Sequence, residues 1–455
     1  MNATPFPRPY IISWNLTYRC NLACEHCYLD AGPKPLVGTQ NFADRSELGT
    51  EECFRVIDEI ATFAPECLTI LTGGEPLLRR DILEIVRRAS ERELWVVVGT
   101  NGVRITENVA ARLAEAGARG LSLSLDALDP DRHDQFRRVL GAWRNTVEGA
   151  EILNRTGLPF IVQTTAGSHN LGELEAIADF AHDRLAAKVW NLYFLVPTGR
   201  GQFVSDITPA QYDEVLASLY RIQGKYQGRM LVNAKCAPHY IKTVLENGGR
   251  PGSGQADVEA HPIRTYSAGA GGCPAGTHYM GIRPNGDVTP CPYLPVFAGT
   301  LRSSSLADLW TSSALFADIR RRTSLGGRCG ECEMNGHCGG CRARAYGMTG
   351  DLMAEDPLCT HVPGTFAGSP LLAIRGRGSV AGSQGPLAIQ YGAESAMTIA
   401  WDDAAAERMK KIPAFVRGMV VKAVEDSCRR NGIGRVTAEE LEKIRARMPT
   451  PKIFG

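Results

Sequence analysis

The segment Arg19-Cys20-Asn21-Leu22-Ala23-Cys24-Glu25-His26-Cys27-Tyr28 carries the strongest signal in the chain. It spaces three cysteines as CxxxCxxC, and three thiolates fill three of the four ligand positions of a 4Fe-4S cluster. The remaining iron is open, so it can chelate a small molecule through an amine and a carboxylate and pass it an electron. The alternative is a three-thiolate zinc site, although zinc sites usually repeat a CxxC pair and close at four ligands. The motif therefore predicts a redox-active cluster on Cys20, Cys24 and Cys27.

The composition is typical of a chain with several globular domains. Its 455 residues leave room for about three domains, and an apolar fraction of 44% is enough to build their cores. A net charge of +1 gives no electrostatic reason to expect a nucleic acid as partner. No stretch reaches the length of a membrane span, and the N-terminus lacks a signal-peptide pattern, so we expect a cytoplasmic protein without membrane contact. In that compartment, the 14 cysteines are better explained as metal ligands than as disulfides.

The first 200 residues alternate short apolar runs with amphipathic segments, the pattern of a parallel sheet covered by helices. The predicted strands are Ile11 to Leu16, Cys67 to Leu71, Leu94 to Val98, Gly120 to Leu125, Pro159 to Thr164 and Val189 to Leu195. Right-handed crossovers between six such strands predict an α/β fold, a partial (β/α)6 barrel. The active site of this architecture lies at the C-terminal strand ends, and the cysteine triplet follows the first strand.

The rest of the chain divides by composition. We predict the barrel over residues 1–230, a cysteine-rich domain with short elements over 231–363, and a flexible linker dense in Gly, Ser and Ala over 364–396. A small helical domain is predicted for 397–455, where Pro413 suits a first helical turn and Thr437 to Glu440 form a capping box.

Together with Thr72-Gly73-Gly74-Glu75-Pro76, the cysteine triplet resembles the radical S-adenosylmethionine (SAM) superfamily. The resemblance implies that Cys20, Cys24 and Cys27 hold the catalytic cluster and that Gly73, Gly74 and Glu75 hold the methionyl amino group of SAM. It further implies ribose contacts from Ser124 and Asp126, which point the same way along a strand, and an adenine contact from Tyr28. The residues alone leave alternatives: a glycine turn for Gly73 and Gly74, a turn at Asp129-Pro130 for Asp126, and a packed aromatic for Tyr28. Thr100-Asn101-Gly102 either faces the ligand or forms only a turn, and the turn is the favoured interpretation.

The cysteine-rich region resembles the SPASM domain, which carries auxiliary 4Fe-4S clusters in radical SAM maturases. Its core is Cys329-x2-Cys332-x5-Cys338-x2-Cys341, whose last gap is usually three residues in the family. The resemblance implies one cluster on Cys329, Cys332, Cys338 and Cys359, and another on Cys273, Cys291 and Cys341. Cys236 would complete the second cluster if the insertion after it folds back; without it, that cluster has an open site or does not form. The spacings alone also fit a pair of zinc ribbons.

Two local resemblances concern the substrate. The segments Asn233 to His239, Gly272 to Tyr279 and Cys338 to Tyr346 resemble radical SAM enzymes of the siroheme-based haem pathways, which remove or oxidise tetrapyrrole propionates. Residues 397–455 resemble the C-terminal helical domain of the B subunit of light-independent protochlorophyllide reductase, with dimerisation as the alternative role. Candidate propionate clamps, with surface arginines as the alternative, are Arg137, Arg200, Arg342 and Arg344; His239, His278, His337 and His361 are expected to be structural rather than ligands of a macrocycle metal.

The sequence thus predicts a radical SAM oxidoreductase or lyase that uses SAM, one catalytic 4Fe-4S cluster and one or two auxiliary clusters. Its predicted substrate is a tetrapyrrole-type or other small molecule, and its electron donor a flavodoxin or ferredoxin. The alternatives are a SPASM maturase that modifies a ribosomal peptide and a non-catalytic iron-sulfur scaffold. No winged-helix pattern for gripping a leader peptide precedes the barrel, which disfavours the maturase.

Overall fold

The computed structural model describes residues 8–33, 46–204, 207–226, 229–247, 272–369, 397, 399–410, 412 and 414–447. Pro413, most of the insertion after Cys236 and all but the first residues of the predicted linker lie outside these ranges.

A ten-stranded sheet organises the described residues up to position 300. Its strands are β1 (Ile11–Asn15), β2 (Leu68–Thr72), β3 (Trp95–Gly99), β4 (Leu121–Ser124), β5 (Phe160–Ala166), β6 (Val189–Phe194), β7 (Leu231–Lys235), β8 (Tyr279–Ile282), β9 (Asp287–Thr289) and β10 (Gly299–Thr300). Strands β1 to β7 lie side by side in chain order and run parallel, and β8 adds to the other side of β1, also parallel. The short strands β9 and β10 extend the β8 edge in antiparallel pairs.

Helices cover the outer face of the parallel strands. They are α1 (Thr50–Phe63), α2 (Ile82–Glu91), α3 (Glu107–Glu115), α4 (Pro130–Arg137), α5 (Ala142–Thr156), α6 (Leu174–Asp179), α7 (Pro209–Lys225) and α8 (Tyr240–Glu246). Alternate strand residues such as Ile12, Trp14, Val96 and Val98 are buried in the core against these helices. The other set of alternate residues faces the inside of the partial barrel, where the loops after the strands meet.

The predicted architecture is confirmed, and all six predicted strands form within two residues of their expected bounds. The structure adds β7 and β8, in which Asn233 and Lys235 of β7 and Gly281 of β8 interrupt the apolar pattern. Helix α4 was also missed. It begins with Pro130 at its first turn and is largely polar, so the stretch suggested only a turn at Asp129-Pro130; Asp129 in fact caps this helix through the backbone N–H of Arg132.

The cysteine-rich half contains the short elements that its composition predicts. After β10 come α9 (Leu306–Ser312), α10 (Ala314–Arg320), α11 (Gly327–Glu331) and α12 (Arg342–Thr349). Helix α9 packs on α1 through the main core, where Trp310 is buried. Most cysteines of this half lie in loops or at helix ends, as expected for chain segments that are held by metal rather than by a large core.

The C-terminal segment forms a small helical unit. It consists of β11 (Ala400–Trp401), α13 (Asp403–Lys410), α14 (Ala414–Arg430), β12 (Arg435–Val436) and α15 (Ala438–Arg447). Its own hydrophobic cluster includes Ala405, Val424, Cys428 and Val436, and the Thr437 hydroxyl caps α15 by accepting from the backbone N–H of Glu440. Among the helices of the described ranges, none is both long and apolar enough to cross a bilayer.

Candidate functional site

The loop after β1 gathers the three cysteines of the triplet at the C-terminal ends of the strands. Each sulfur is approached by an N–H donor: the backbone of Leu22 donates to Cys20 at 3.4 Å, and the backbone of Ala31 donates to Cys27 at 3.3 Å. The guanidinium of Arg137 donates to the Cys24 sulfur at 3.5 Å. Burial, followed by the charge of Cys24, raises the pKa of Cys20 to about 12. A bound metal that deprotonates the thiols removes that cost, so this loop suits a metal centre.

The glycines at the end of β2 shape this loop through close backbone approach. The N–H of Gly74 donates to the carbonyl of Thr17 at 2.7 Å, and the N–H of Glu75 donates to the carbonyl of Arg19 at 2.9 Å. A Cβ atom on Gly74 would lie 2.3 Å from the Arg19 oxygen, and Gly73 adopts a φ of +139°. The two glycines therefore bring β2 against the residue that precedes Cys20.

Glu75 is fully buried beside the cluster loop. Its carboxylate accepts from the Thr100 hydroxyl at 2.8 Å and from the Asn101 backbone N–H at 2.9 Å. Burial raises the pKa of Glu75 to about 7 in spite of these bonds. A cationic amino group next to this carboxylate would offset the energetic cost of burying its charge. This is consistent with the predicted contact to the SAM amino group.

Thr100 and Asn101 contact Glu75 and the cluster loop, although the favoured interpretation of the sequence was a turn rather than a ligand-facing segment. The Asn101 amide lies 3.8 Å from the Cys20 sulfur and donates to the Asn21 side chain at 2.9 Å. Their position directly after β3 was the available signal, because the strand ends of such a barrel line the active site.

Asp126 is buried after β4 and holds Arg137. The Nε atom of Arg137 donates to the Asp126 carboxylate at 2.7 Å, and the backbone N–H of Thr165 donates to the other oxygen at 2.8 Å. Burial raises the pKa of Asp126, but the charge of Arg137 lowers it, and the pKa lies below its usual range. Arg137 thus connects Asp126 to the Cys24 sulfur. Ser124, two residues earlier, is half-buried on the same side of the strand.

The four arginines considered as propionate clamps or surface residues are buried, and their side chains bind protein groups. Each is at most 7% exposed. Arg200 donates to the Cys24 carbonyl at 2.8 Å and to Asp30 at 2.8 Å, which fixes both ends of the cluster loop. Arg342 binds two backbone carbonyls, those of Leu352 and Ala354. Arg137, Arg200 and Arg342 therefore stabilise the segments that carry the cysteines. Their partners come close only in the folded structure, so the residue types alone could not reveal that these arginines are buried.

Aromatic side chains surround the triplet. The Tyr28 hydroxyl donates to the Asn15 side chain at 2.7 Å, and the Tyr28 ring lies 4.6 Å from that of Tyr293. His26, inside the triplet, stacks on Phe136 with the rings 4.5 Å apart and nearly parallel. Tyr28 therefore packs toward the cysteine-rich half beside the triplet. His26 is a second ring in the cluster loop, and the sequence analysis did not single it out.

Cys236, Cys273, Cys291 and Cys341 form one group, which we call the Cys236 set. Burial raises the pKa of Cys236 well above its usual value, and the charges of Cys341 and Cys273 raise it further. The pKa of Cys291 is raised in the same way by burial and then by Cys236 and Cys273. Cys236 adopts a φ of +58°, which is a strained conformation for a non-glycine residue. Such strained backbone conformations are common at functional sites. The polypeptide segment of Cys236 therefore does reach the other three cysteines.

The Cys359 set consists of Cys329, Cys332, Cys338 and Cys359. These four cysteines line one cavity, together with His239, His361 and Asp356. The consecutive glycines Gly339 and Gly340 have φ values of +66° and +60°, and this tight turn directs Cys338 and Cys341 to different sets across a gap of only two residues. A Cβ atom on Gly340 would lie 3.1 Å from the Cys329 sulfur.

A buried ion pair joins the two sets. Asp356 accepts from the Cys341 backbone N–H at 2.7 Å and from the Arg344 guanidinium at 3.0 Å, and both side chains are fully buried. Arg344 in turn donates to the Cys236 carbonyl at 2.8 Å. The four histidines named above are buried too: His361 binds Glu333 at 3.0 Å, and His239 stacks on Tyr212.

The spacing of the sulfurs fits clusters better than single zinc ions. Within the part of the chain that the structure describes, one group of three His, Cys, Asp or Glu residues has ligand atoms within 4.8 Å of one another, and it consists of Cys332, Glu333 and His361. Sulfurs around one zinc lie roughly 3.8 Å apart, given Zn–S bonds of about 2.3 Å. Neither the triplet nor either four-cysteine set closes to that spacing, so each leaves room for a larger inorganic core.

Comparisons with known proteins agree with this geometry. Residues 14–181 match the radical SAM superfamily, residues 273–341 match an iron-sulfur cluster-binding (SPASM) domain, and residues 401–445 match the proto-chlorophyllide reductase 57 kD subunit. The AdoMet-dependent heme synthase of Methanosarcina barkeri is 37% identical over 356 residues, which cover 78% of this chain and 97% of that protein. The mycofactocin maturase MftC of Mycobacterium ulcerans is 31% identical over 80% of this chain and 90% of its own length.

Solved structures show the same fold. SuiB of Streptococcus suis, in complex with the precursor peptide SuiA, superposes with a TM-score of 0.60 at 18% identity, covering 78% of this chain and 76% of its own. The matched heme synthase is an enzyme, and two of the family models match part of the barrel, with the triplet, and part of the cysteine-rich half, from Cys273 to Cys341. The chain belongs to the radical SAM superfamily, as an enzyme that uses SAM and 4Fe-4S clusters and carries a SPASM domain.

Proposed function

We propose that this enzyme acts on a tetrapyrrole and converts carboxylate-bearing side chains of the macrocycle, by oxidation or decarboxylation. The observation that carries the proposal is the 37% identity to an AdoMet-dependent heme synthase over 97% of that protein's length. A match of this extent includes both the barrel and the cysteine-rich half, and so concerns the whole machinery rather than the SAM site alone.

The residues around the triplet are assigned as follows. Cys20, Cys24 and Cys27 hold the catalytic cluster, and Gly73, Gly74 and Glu75 hold the methionyl end of SAM. Ser124, Asp126 and Tyr28 are assigned to the adenosine part, and Asp126 also holds Arg137 against the Cys24 sulfur. The support is that the two glycines and Glu75 contact the cluster loop directly, and that Asp126 is joined to the Cys24 sulfur through Arg137.

The two four-cysteine groups are assigned to auxiliary 4Fe-4S clusters, with Cys236 as a ligand. When bound, SAM and the clusters supply the one-electron chemistry: a 5′-deoxyadenosyl radical for hydrogen-atom abstraction and an acceptor for the electron that substrate oxidation releases. The residues of this chain position these groups, keep water out and hold the substrate. We propose a flavodoxin or ferredoxin as the reductant, since the catalytic cluster has to be reduced by one electron at a time.

The domain limits follow the same assignment. We propose a barrel over residues 1–230, an auxiliary-cluster domain over 231–363, a linker over 364–396 and a helical domain over 397–455. The family matches at 14–181, 273–341 and 401–445 each fall inside one of these ranges.

A ribosomal peptide is the second candidate substrate, and the 31% identity to a mycofactocin maturase favours it. Identity to the heme synthase is higher, and the helical domain matches a protein named for a tetrapyrrole. These two observations rank the tetrapyrrole first.

The test is a comparison of substrates with the anaerobically reconstituted enzyme. With SAM, a reductant and iron coproporphyrin III, we expect one 5′-deoxyadenosine for each side chain changed, and a porphyrin product of lower mass. A porphyrin that neither binds nor changes, together with turnover of a precursor peptide, would replace this proposal by the maturase.

A further inference from the structure

His239 is a buried histidine whose two ring nitrogens make no hydrogen bond with the protein. It lies between β7 and α8, three residues after Cys236, and is 1% exposed. Neither nitrogen has a hydrogen-bond partner among the residues that the structure describes. A buried polar atom without a partner costs free energy, and nearly all such atoms in native proteins are paired with something. The partner of this ring is therefore a group other than a protein side chain or backbone.

The neighbours of His239 fix the position of its ring and leave its nitrogens available. The ring of Tyr212 stacks on it, with centroids 4.6 Å apart and 24° between the planes. Its Nδ1 atom lies 3.7 Å from the Oδ2 atom of Asp356, which is longer than a hydrogen bond. That oxygen already accepts from the backbone N–H of Cys341 and from the guanidinium of Arg344. Asp356 therefore does not satisfy the ring.

The ring lies at the cavity of the Cys359 set. His239 lines this cavity together with all four cysteines of the set. Within the described part of the chain, no sulfur makes a hydrogen bond with the ring. The sulfurs of Cys332 and Cys338 accept instead from the backbone N–H groups of Met334, at 3.3 Å, and Gly340, at 3.4 Å. A group that fills the cavity would thus lie between the His239 ring and the cysteine sulfurs, which is the place of the inorganic core of a cluster.

The His239 ring can donate a hydrogen bond to such a core. An imidazole carries at least one N–H, whether it is neutral or protonated. The reduction potential of an iron-sulfur cluster depends on the hydrogen bonds to its sulfurs. Each donated hydrogen bond stabilises the additional negative charge of the reduced cluster, so the potential becomes less negative.

We propose that the His239 ring donates an N–H hydrogen bond to the inorganic core of the 4Fe-4S cluster on the Cys359 set and makes the reduction potential of that cluster less negative. This inference rests on the proposed function, which assigns an auxiliary cluster to that set. Because His239 follows Cys236 in one short segment, it connects a ligand of one auxiliary cluster with the surroundings of the other. A less negative potential at the Cys359 set favours transfer of one electron to it from the cluster of the Cys236 set.

The test uses the full-length chain with the three triplet cysteines changed to Ala, reconstituted anaerobically, so that the EPR signals come from the auxiliary clusters. The signal of the Cys359 set is the one that Cys359→Ala removes. His239→Leu removes the donor, whereas the amides of His239→Gln and His239→Asn keep a donor near the positions of Nε2 and Nδ1. The control is His182→Leu, because the His182 ring binds Asp183 at 2.6 Å, away from the cysteine groups.

Potentiometric titration followed by EPR measures both auxiliary potentials. We expect His239→Leu to make the potential of the Cys359 set more negative and to leave that of the Cys236 set unchanged. At least one of the two amide variants should recover most of the shift, and His182→Leu should cause none. In protein labelled with 15N-histidine, pulsed EPR should show a nitrogen coupling to the reduced cluster of the Cys359 set that His239→Leu abolishes.

Iron content is measured for every variant. A His239→Leu variant with full iron and an unchanged potential would overturn the inference, and so would equal shifts in the Leu, Gln and Asn variants, because the ring would then act through packing alone. If His239→Leu loses iron, the labelled protein with His239 intact decides, and no nitrogen coupling there would also overturn the inference. A chain with His239 intact that holds no iron on the Cys359 set would instead overturn the auxiliary-cluster assignment in the proposed function.

Discussion

At the scale of single residues, Gly74 shows how tightly the cluster loop is held. A Cβ atom there would lie 2.3 Å from the Arg19 carbonyl oxygen and 3.0 Å from the Cβ of Ala31. We expect Gly74→Ala to push the loop away, to destabilise the protein by about 1–3 kcal/mol and to lower the iron bound by the triplet. Thermal unfolding and iron analysis measure both effects.

The matched control is Gly172→Ala, because Gly172 has no atom within 4 Å of a built Cβ. That substitution should change stability by less than about 1 kcal/mol. Equal effects of the two substitutions would show that glycine is required at position 74 for some reason other than close approach.

Asn101 offers a second test at this scale. Its amide lies 3.8 Å from the Cys20 sulfur, and an N–H directed at a cluster ligand stabilises the additional negative charge of the reduced state. We expect Asn101→Ala to make the reduction potential of the catalytic cluster more negative while the backbone bond to Glu75 persists. Potentiometric titration followed by EPR measures the shift.

Asn154→Ala is the control for that experiment, since the Asn154 amide donates to the Leu185 carbonyl on the outer helices. It should leave the potential unchanged. If Asn101→Ala also leaves it unchanged at normal iron content, the amide does not act on the sulfur.

At the scale of elements, the sequence predicted what local patterns determine. Apolar runs predicted the six strands, and local side chains cap the helices between them: Thr106 caps α3 by accepting from the backbone N–H of Val109 at 3.2 Å. Strand β7 escaped notice because Asn233 and Lys235 interrupt its apolar pattern, and they do so because they face the polar interior. Helix α4 escaped because its first residue is proline and its face toward the core is small.

The candidate site likewise has a part that local sequence predicts and a part that depends on the tertiary fold. Cysteine spacing indicated the groups, because ligands that lie close in sequence stay close in space. Arg200 and Arg344 were misjudged because their partners, Asp30 and Asp356, become neighbours only through the tertiary fold. Asp356 itself carried no sequence signal, although it joins both auxiliary sets.

The two four-cysteine groups are built on different elements and should lose metal independently. With all three triplet cysteines changed to Ala, we expect about eight irons per chain, as for two cubane clusters. Adding Cys236→Ala should leave about four, Cys359→Ala should also leave about four, and both together should leave almost none. Iron analysis and EPR measure these contents.

Cys67→Ala is the control, because Cys67 is buried in the main core, separate from the cysteine groups. This substitution should lower the stability of the protein without any loss of iron. If Cys236→Ala loses no iron, the Cys236 set holds its cluster with three ligands and an open site. Zinc in place of iron would exclude electron transfer through these groups.

At the scale of the whole molecule, the C-terminal helices form a unit with its own core and caps, so we expect the catalytic parts to fold without them. Ala405, Val424 and Val436 pack with one another, and the helices carry the basic surplus of the segment, with 12 Lys and Arg against 8 Asp and Glu from Ala400 onward. A basic module suits a substrate that carries carboxylates.

We therefore expect an enzyme that ends at residue 396 to keep its clusters and its uncoupled SAM cleavage, and to bind iron coproporphyrin III more weakly. Val436→Asp in the full-length chain should have the same effect, since Val436 is fully buried in that core and a charge there would unfold the unit without shortening the protein. Porphyrin titration, 5′-deoxyadenosine yield and light scattering are measured together. If both changes instead dissociate an oligomer and leave turnover intact, the helices serve assembly, and the tetrapyrrole proposal then rests on the heme synthase similarity alone.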